Sequence, residues 1–210
     1  MIHSYHGTID LVSERMMHTE VELEAEDWKD LRHFNEVVYK GNPWDLSHLK
    51  PYSFTTPIVD YELPIRVVVL FACHCFTREA TDEEIATGSV AAEDWYVDEV
   101  ESRVLDEERY LLSRKHLPAM VKALSSRKIT VADENRRNGN FVTLEIADDN
   151  GIMGHYSVFF EFERERKRKI KLRVQSAYVR QRLTKRELDA KPVKLNTILK
   201  ATLEGRKIHG

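Results

Sequence analysis

The chain has 210 residues, 42% of them hydrophobic and 32% charged, with a formal net charge of -3. That size and balance fit one globular domain over residues 1–210 and exclude a disordered chain. No run of about 18 apolar residues occurs, and the start, MIHSYHGTIDLVSE, lacks the basic head and apolar centre of a signal peptide. A cytoplasmic protein with no membrane partner is therefore expected.

The small net charge conceals an uneven distribution. Residues 161–210 carry sixteen Lys or Arg against six Asp or Glu, while residues 1–160 carry sixteen against twenty-nine. Either the C-terminal part meets an anionic partner, or the two parts neutralise each other within the fold.

In chain order, VELEAE near the N-terminus can alternate as an edge strand. From Glu26, the apolar residues Trp28, Leu31, Phe34, Val37 and Val38 recur at helical spacing, and Gly41 and Pro43 stop the run. Asp45 is placed to cap a short turn through Leu46, Ser47 and His48. Residues 65–77, IRVVVLFACHCFT, are apolar at both alternating sets of positions, which predicts a strand covered on both faces. Cys73 and Cys75 lie two apart on it, poorly placed to bridge each other, so both are expected as thiols.

Residues 78–108 form an acidic excursion, with a short helix near Asp82 and a small apolar group at Trp95, Tyr96 and Val97. From Asp106 the pattern is helical through Tyr110, Leu111, Leu117, Met120, Val121 and Leu124, with a break expected around Ser113. Ile129–Val131 and Phe141–Ala147 read as strands separated by the polar loop ENRRNGN, and Asp149-Asn150-Gly151 turns the chain. Residues 181–210 read as a basic helical segment divided by Pro192, its last helix capped by Asn196 and stopped by Gly205.

His155 to Arg180 reads as one long β-hairpin. A turn at Lys167-Arg168-Lys169 sets Phe162 opposite Val174, Phe160 opposite Ser176, Val158 opposite Tyr178 and Arg164 opposite Leu172. The other face then pairs Glu165 with Lys171, Glu163 with Arg173 and Glu161 with Gln175. A slip of one residue would set Glu161 against Val174 and Glu163 against Leu172, so it is rejected. The predicted fold is α+β, an antiparallel meander built on this hairpin with helices packed on one face.

Four phrases, FACHCFT, ERYLLS, VFFEFER and RVQSAYV, together resemble a bacterial family of uncharacterised proteins of about this length, over roughly residues 45–205. That resemblance implies no activity. A helical segment followed by a meander whose last strand ends in Ser176-x-Tyr178 also resembles the small ribonucleases of the barnase, EndoU, colicin and RelE types. This second likeness implies RNA bound over the sheet, with Ser176 and Tyr178 in the cleft.

No cofactor loop, nucleophile elbow or complete metal-ligand set is present, so no cofactor is expected. His74 and His155 have the side chain suited to proton transfer near neutral pH when an RNA 2′-hydroxyl attacks its phosphate. Arg109 could offset charge on the phosphorane, although the acids before it offer a local ion pair. Cys73, His74 and Cys75 could begin a zinc site, but strand alternation would send His74 away from both thiols, and no second Cys pair exists. Arg166, Lys167, Arg168 and Lys169 at the hairpin tip, with Arg180 and Arg182, could grip phosphates without reading sequence. Two functions are compatible with these features: a metal-independent, endoribonuclease-like and toxin-like RNA-binding protein, or a non-catalytic regulatory or protein-interaction module that meets a protein partner through the acidic segment 79–108.

Overall fold

Six of the seven residues of Ile65–Phe71 are buried, on both faces of the strand, and this segment is an interior strand of the main sheet. A computed structural model of the chain describes residues 18–24, 26–27, 34–131, 140–147, 153–166 and 168–207. The expected loop ENRRNGN (except Asn140), the turn Asp149-Asn150-Gly151 and Lys167 lie outside the described residues.

The described strands and helices are, in order, β1 (Thr19–Val21), β2 (Val38–Tyr39), β3 (Asn42–Pro43), β4 (Tyr52–Thr56), β5 (Ile65–Phe71), β6 (Thr77–Arg78) and α1 (Asp82–Thr87). There follow β7 (Trp95–Val97), β8 (Ser102–Leu105), α2 (Glu107–Lys122), β9 (Lys128–Val131), β10 (Asn140–Ala147), β11 (Met153–Arg166) and β12 (Lys169–Arg180). The chain closes on α3 (Lys185–Asp189), β13 (Pro192–Lys194) and α4 (Leu195–Glu204).

The architecture is α+β. An eight-stranded sheet has the order β1-β4-β5-β12-β11-β10-β9-β13, a three-stranded sheet has the order β6-β8-β7, and β2 pairs with β3. All pairs in the large sheet are antiparallel except β5 with β12, whose register runs from Lys169 opposite Arg66 to Val174 opposite Phe71. The meander is thus joined to the N-terminal half by one parallel pair, which suits a strand as apolar on both faces as β5. Tyr110, Leu117, Met120 and Val121 of α2 and Leu195, Ile198, Leu199 and Leu203 of α4 share one buried cluster with Val67, Val69, Val158, Phe160, Leu172 and Val174. Val68 and Leu70 meet Leu23 in a second, smaller cluster. Among the described residues no helix is long and apolar enough to cross a membrane.

The hairpin is present, but its register differs from the expectation. Phe162 faces Leu172, Phe160 faces Val174 and Arg164 faces Ile170, while Glu163 faces Lys171 and Glu161 faces Arg173. Lys169 belongs to the strand rather than the turn, opposite Arg166. From Phe160 to Arg164 the ladder has therefore slipped by two residues, which leaves those side chains on their expected faces and sets Glu161 and Glu163 opposite bases, and a second register shift follows between Arg164 and Arg166.

A bulge between Phe159 and Phe160 leaves Gln175 between Val174 and Ser176, so Phe159 faces Ser176, Val158 faces Ala177 and Ser157 faces Tyr178. One extra residue reverses the faces of the strand beyond it. Ala177 is fully buried in the core, and Ser176 and Tyr178 leave the apolar face of Leu172 and Val174 on which they were expected.

Other elements differ too. The helix expected from Glu26 to Val38 is not formed where its C-terminal half is described: residues 34–37 are irregular and Val38 begins β2, turning through Lys40 and Gly41 at φ 48 and 78. Phe34 instead makes an edge contact with Phe76. α2 runs unbroken through Ser113, whose hydroxyl donates to the Tyr110 carbonyl one turn back and also lies 2.9 Å from His48 Nε2. The basic C-terminal segment is not wholly helical, because β13 adds an edge strand to β9. Asn196 is not the cap of α4; Lys194 holds that position, while Gly205 ends the helix at φ 66 as expected.

Candidate functional site

The alternation expected through Cys75 stops at Phe71. Cys73–Cys75 form a single 3-10 turn, closed by the Phe76 N–H donating to the Cys73 carbonyl. A turn does not alternate, so His74 is not sent away from both thiols. Cys75 is buried in the core, and burial pushes its thiol up to about 12. Cys73 and His74 instead both reach Glu101. The Cys73 thiol donates to Glu101 Oε1 at 3.1 Å, and His74 Nε2 lies 2.8 Å from Glu101 Oε2. Both cysteines are free thiols, as expected.

Glu101 is held by the turn between β7 and β8. Asp98 Oδ1 accepts from the Val100 and Glu101 N–H groups at 2.8 and 3.0 Å, and the Asp98 N–H donates to the Glu101 carbonyl. Burial pushes the Glu101 carboxyl up, but the Cys73 and His74 hydrogen bonds and the Arg103 charge outweigh it and hold the carboxyl below its ordinary value. Burial, and then Glu101 itself, push the Cys73 thiol far above its ordinary value. Cys73 is therefore no ready nucleophile.

Two arginines brace the other side. Arg103 is almost buried; its Nε donates to Thr77 Oγ1 at 2.9 Å and its Nη1 lies 3.5 Å from Glu101 Oε2. Arg109 Nη1 donates to the Thr77 carbonyl at 2.7 Å, and its guanidinium carbon lies 4.7 Å from the centre of the Tyr178 ring. The local ion pair expected for Arg109 is made with Asp106, at 3.7 Å. Cys73, His74 and Glu101 offer ligand atoms all within 4.8 Å of one another.

Of the five residues expected to be catalytic, His74, Arg109 and Tyr178 come to this corner. His155 faces Arg180 and Ser176 faces Phe159 on the hairpin, with Tyr178 stacked on Phe159 at 5.4 Å. The phosphate-gripping set is largely engaged elsewhere. Lys169 is buried, with Nζ 2.5 Å from Asp27 Oδ1, and Arg166 reaches Glu26 at 2.6 Å. Arg180 donates to Glu187 at 2.7 Å and to Ser157 at 3.0 Å. Arg168 and Arg182 are exposed. Several charges of the C-terminal part are thus met by acids of the N-terminal part, the neutralisation left open by the charge count.

Sequence reasoning missed Glu101 and Arg103. Glu101 is one acid among many between residues 79 and 108, and only its position three residues after a turn-forming Asp98 set it apart.

Residues 36–203 match the model of the YjaZ family. The chain belongs to the YjaZ family. This YjaZ-family match spans β2 to α4 and includes Cys73, His74 and Glu101, while Asp27 lies before it. No curated protein and no solved structure matches the chain.

Proposed function

We propose that this chain is a non-catalytic interaction module that receives a protein partner on the acidic segment 79–108, around its three-stranded sheet. The observation that supports this most is the turn between β7 and β8, where Val97 and Val100 are 58% and 61% exposed beside the exposed Glu99. Ile85 on α1 is likewise exposed, among Asp82 and Glu83. Apolar side chains set among carboxylates suit a partner surface that is basic and partly apolar. The engagement of Lys169, Arg166 and Arg180 by acids further favours this reading over RNA binding.

The test is photocrosslinking from position 97 in source cells, followed by the double substitution E99K/V100K. A single basic protein is expected to be captured by the wild-type surface, with capture falling at least about tenfold in the double variant at unchanged melting temperature. Equal capture by both would remove the acidic turn from the interface and end the proposal.

A second reading is a metal-independent endoribonuclease-like protein, favoured by Arg109, whose Nη1 lies 3.4 Å from the His74 backbone carbonyl and whose guanidinium lies over the Tyr178 ring. In this reading His74, oriented by Glu101, moves the proton and Arg109 offsets phosphate charge. Cleavage of mixed RNA in EDTA, leaving cyclic phosphates and lost in His74→Gln, is the expected result. Intact RNA at low and moderate salt would exclude it.

A further inference from the structure

We infer that Cys73, His74 and Glu101 form a binding site for a borderline-soft divalent cation, with zinc the best match. This inference goes beyond the interaction role and does not depend on it. It excludes the second reading, because a metal on His74 Nε2 replaces the orienting contact with Glu101 and leaves the ring proton on Nδ1, with no lone pair to accept another.

The donor set is thiolate, imidazole and carboxylate, the three side-chain classes that bind zinc, and its atoms lie within 4.8 Å of one another. Around a tetrahedral zinc, with bonds of about 2.0–2.3 Å, neighbouring ligand atoms stand roughly 3.3–3.7 Å apart. The Cys73 and His74 contacts, 3.1 and 2.8 Å, end on the two different oxygens of the Glu101 carboxylate, so both side chains already face it and each of these two contacts has to lengthen by some tenths of an ångström. Those two contacts are hydrogen bonds whose protons occupy the place a cation would take. A thiol is a weak donor to spend on a half-buried carboxylate.

Binding is balanced in protons. The Cys73 thiol loses its proton to solvent, the His74 ring carries its proton on Nδ1, and Glu101 is already ionised. One thiolate and one carboxylate neutralise the divalent charge, which suits a partly buried place. Arg103, 3.5 Å from Glu101 Oε2, remains behind the carboxylate as an orienting partner. The His74 and Glu101 side chains are 29% and 28% exposed, so a fourth position can open to water. Cys75 is buried in the core and takes no part.

The site also has a mechanical consequence. Cys73 and His74 follow β5 of the large sheet, whereas Glu101 precedes β8 of the small one. A bound cation would clamp the acidic turn to the end of the main sheet.

The full chain, stripped with chelator and dialysed, should be titrated with Co2+ and then Zn2+. One Co2+ per chain is expected, with a near-ultraviolet thiolate-to-cobalt charge-transfer band that Zn2+ abolishes. Cys73→Ser should lose this band and Cys75→Ser should keep it. His74→Gln and Glu101→Gln should weaken binding by at least about tenfold. If Cys73→Ser fails to fold, the two Gln variants decide: Zn2+ should raise the wild-type melting temperature and leave theirs unmoved. Absence of the charge-transfer band in the wild type, or wild-type affinity in both Gln variants, would overturn the site.

Discussion

Asp27→Asn is expected to lower the unfolding free energy by about 3 kcal/mol at neutral pH. Asp27 is 3% exposed, its carboxylate meets Lys169 Nζ at 2.5 Å and Arg66 Nη2 at 3.0 Å, and it accepts the Glu24 N–H at 2.7 Å. The amide can still accept from Glu24, but it leaves Lys169 buried with one fewer counter-charge. Removing one member of a buried pair costs about 3–5 kcal/mol, and Glu165, 3.4 Å from Lys169, places this case at the low end.

The pH dependence carries a sign that a packing defect would not. Burial pushes the Asp27 carboxyl up, but the Lys169 hydrogen bond, the Glu24 N–H and Arg66 outweigh it and hold the carboxyl below its ordinary value. Its contribution is therefore fully present above the unfolded value of about 3.9 and is lost as pH falls through the lower folded value. Burial lowers the Lys169 ammonium, yet Asp27 and Glu165 raise it above its ordinary value, so its share is lost only as pH rises through that raised value. Urea unfolding at pH 7 and below pH 3 checks this. The gap between wild type and variant should narrow in acid; a gap constant down to pH 2 would assign the loss to packing alone.

Ala177→Asp should cost on the order of 4 kcal/mol or more, and Ser176→Asp only about 1 kcal/mol. The ranking comes from the bulge at Gln175, which sends Ala177 into the core at 0% exposure and Ser176 to the opposite, half-buried face. In a straight ladder Ser176 would share the core face with Leu172 and Val174, and the order would reverse. Denaturant unfolding of the two variants side by side distinguishes these backbones, and equal losses would argue against the bulge.

The same hairpin separates what local pattern specifies from what it leaves open. Its existence, its two faces and its charge ladder could be read directly, because side-chain period and strand period are both two. A slip of one residue could be rejected on that ground, but a slip of two could not. Glu163 meets a base in either register, Arg173 in the expected one and Lys171 in the observed one, because acids and bases both recur at every second residue of their strands, so the charge pattern alone does not separate the two. Lys169 settles the matter through a contact distant in sequence, its buried pairing with Asp27. The candidate site obeys the same logic. His74, Arg109 and Tyr178 could be singled out by residue type, but the 3-10 turn that directs Cys73 and His74 to Glu101 could not, since FACHCFT alternates as well as any strand.

By itself, the sequence determined the apolar interior strand β5, the long hairpin, the strands β9 and β10, the α1 segment and the α+β class. Each rests on a local period or a local cap, and neighbours within a few residues suffice to express it. The tertiary structure alone decided the hairpin's register and bulge, the parallel pairing of β5 with β12, the burial of Lys169 and the meeting of Cys73, His74 and Glu101. These rest on contacts between residues far apart in the chain, where the free energy of packing and of pairing buried charge outweighs local preference, and no local pattern encodes which distant partner wins.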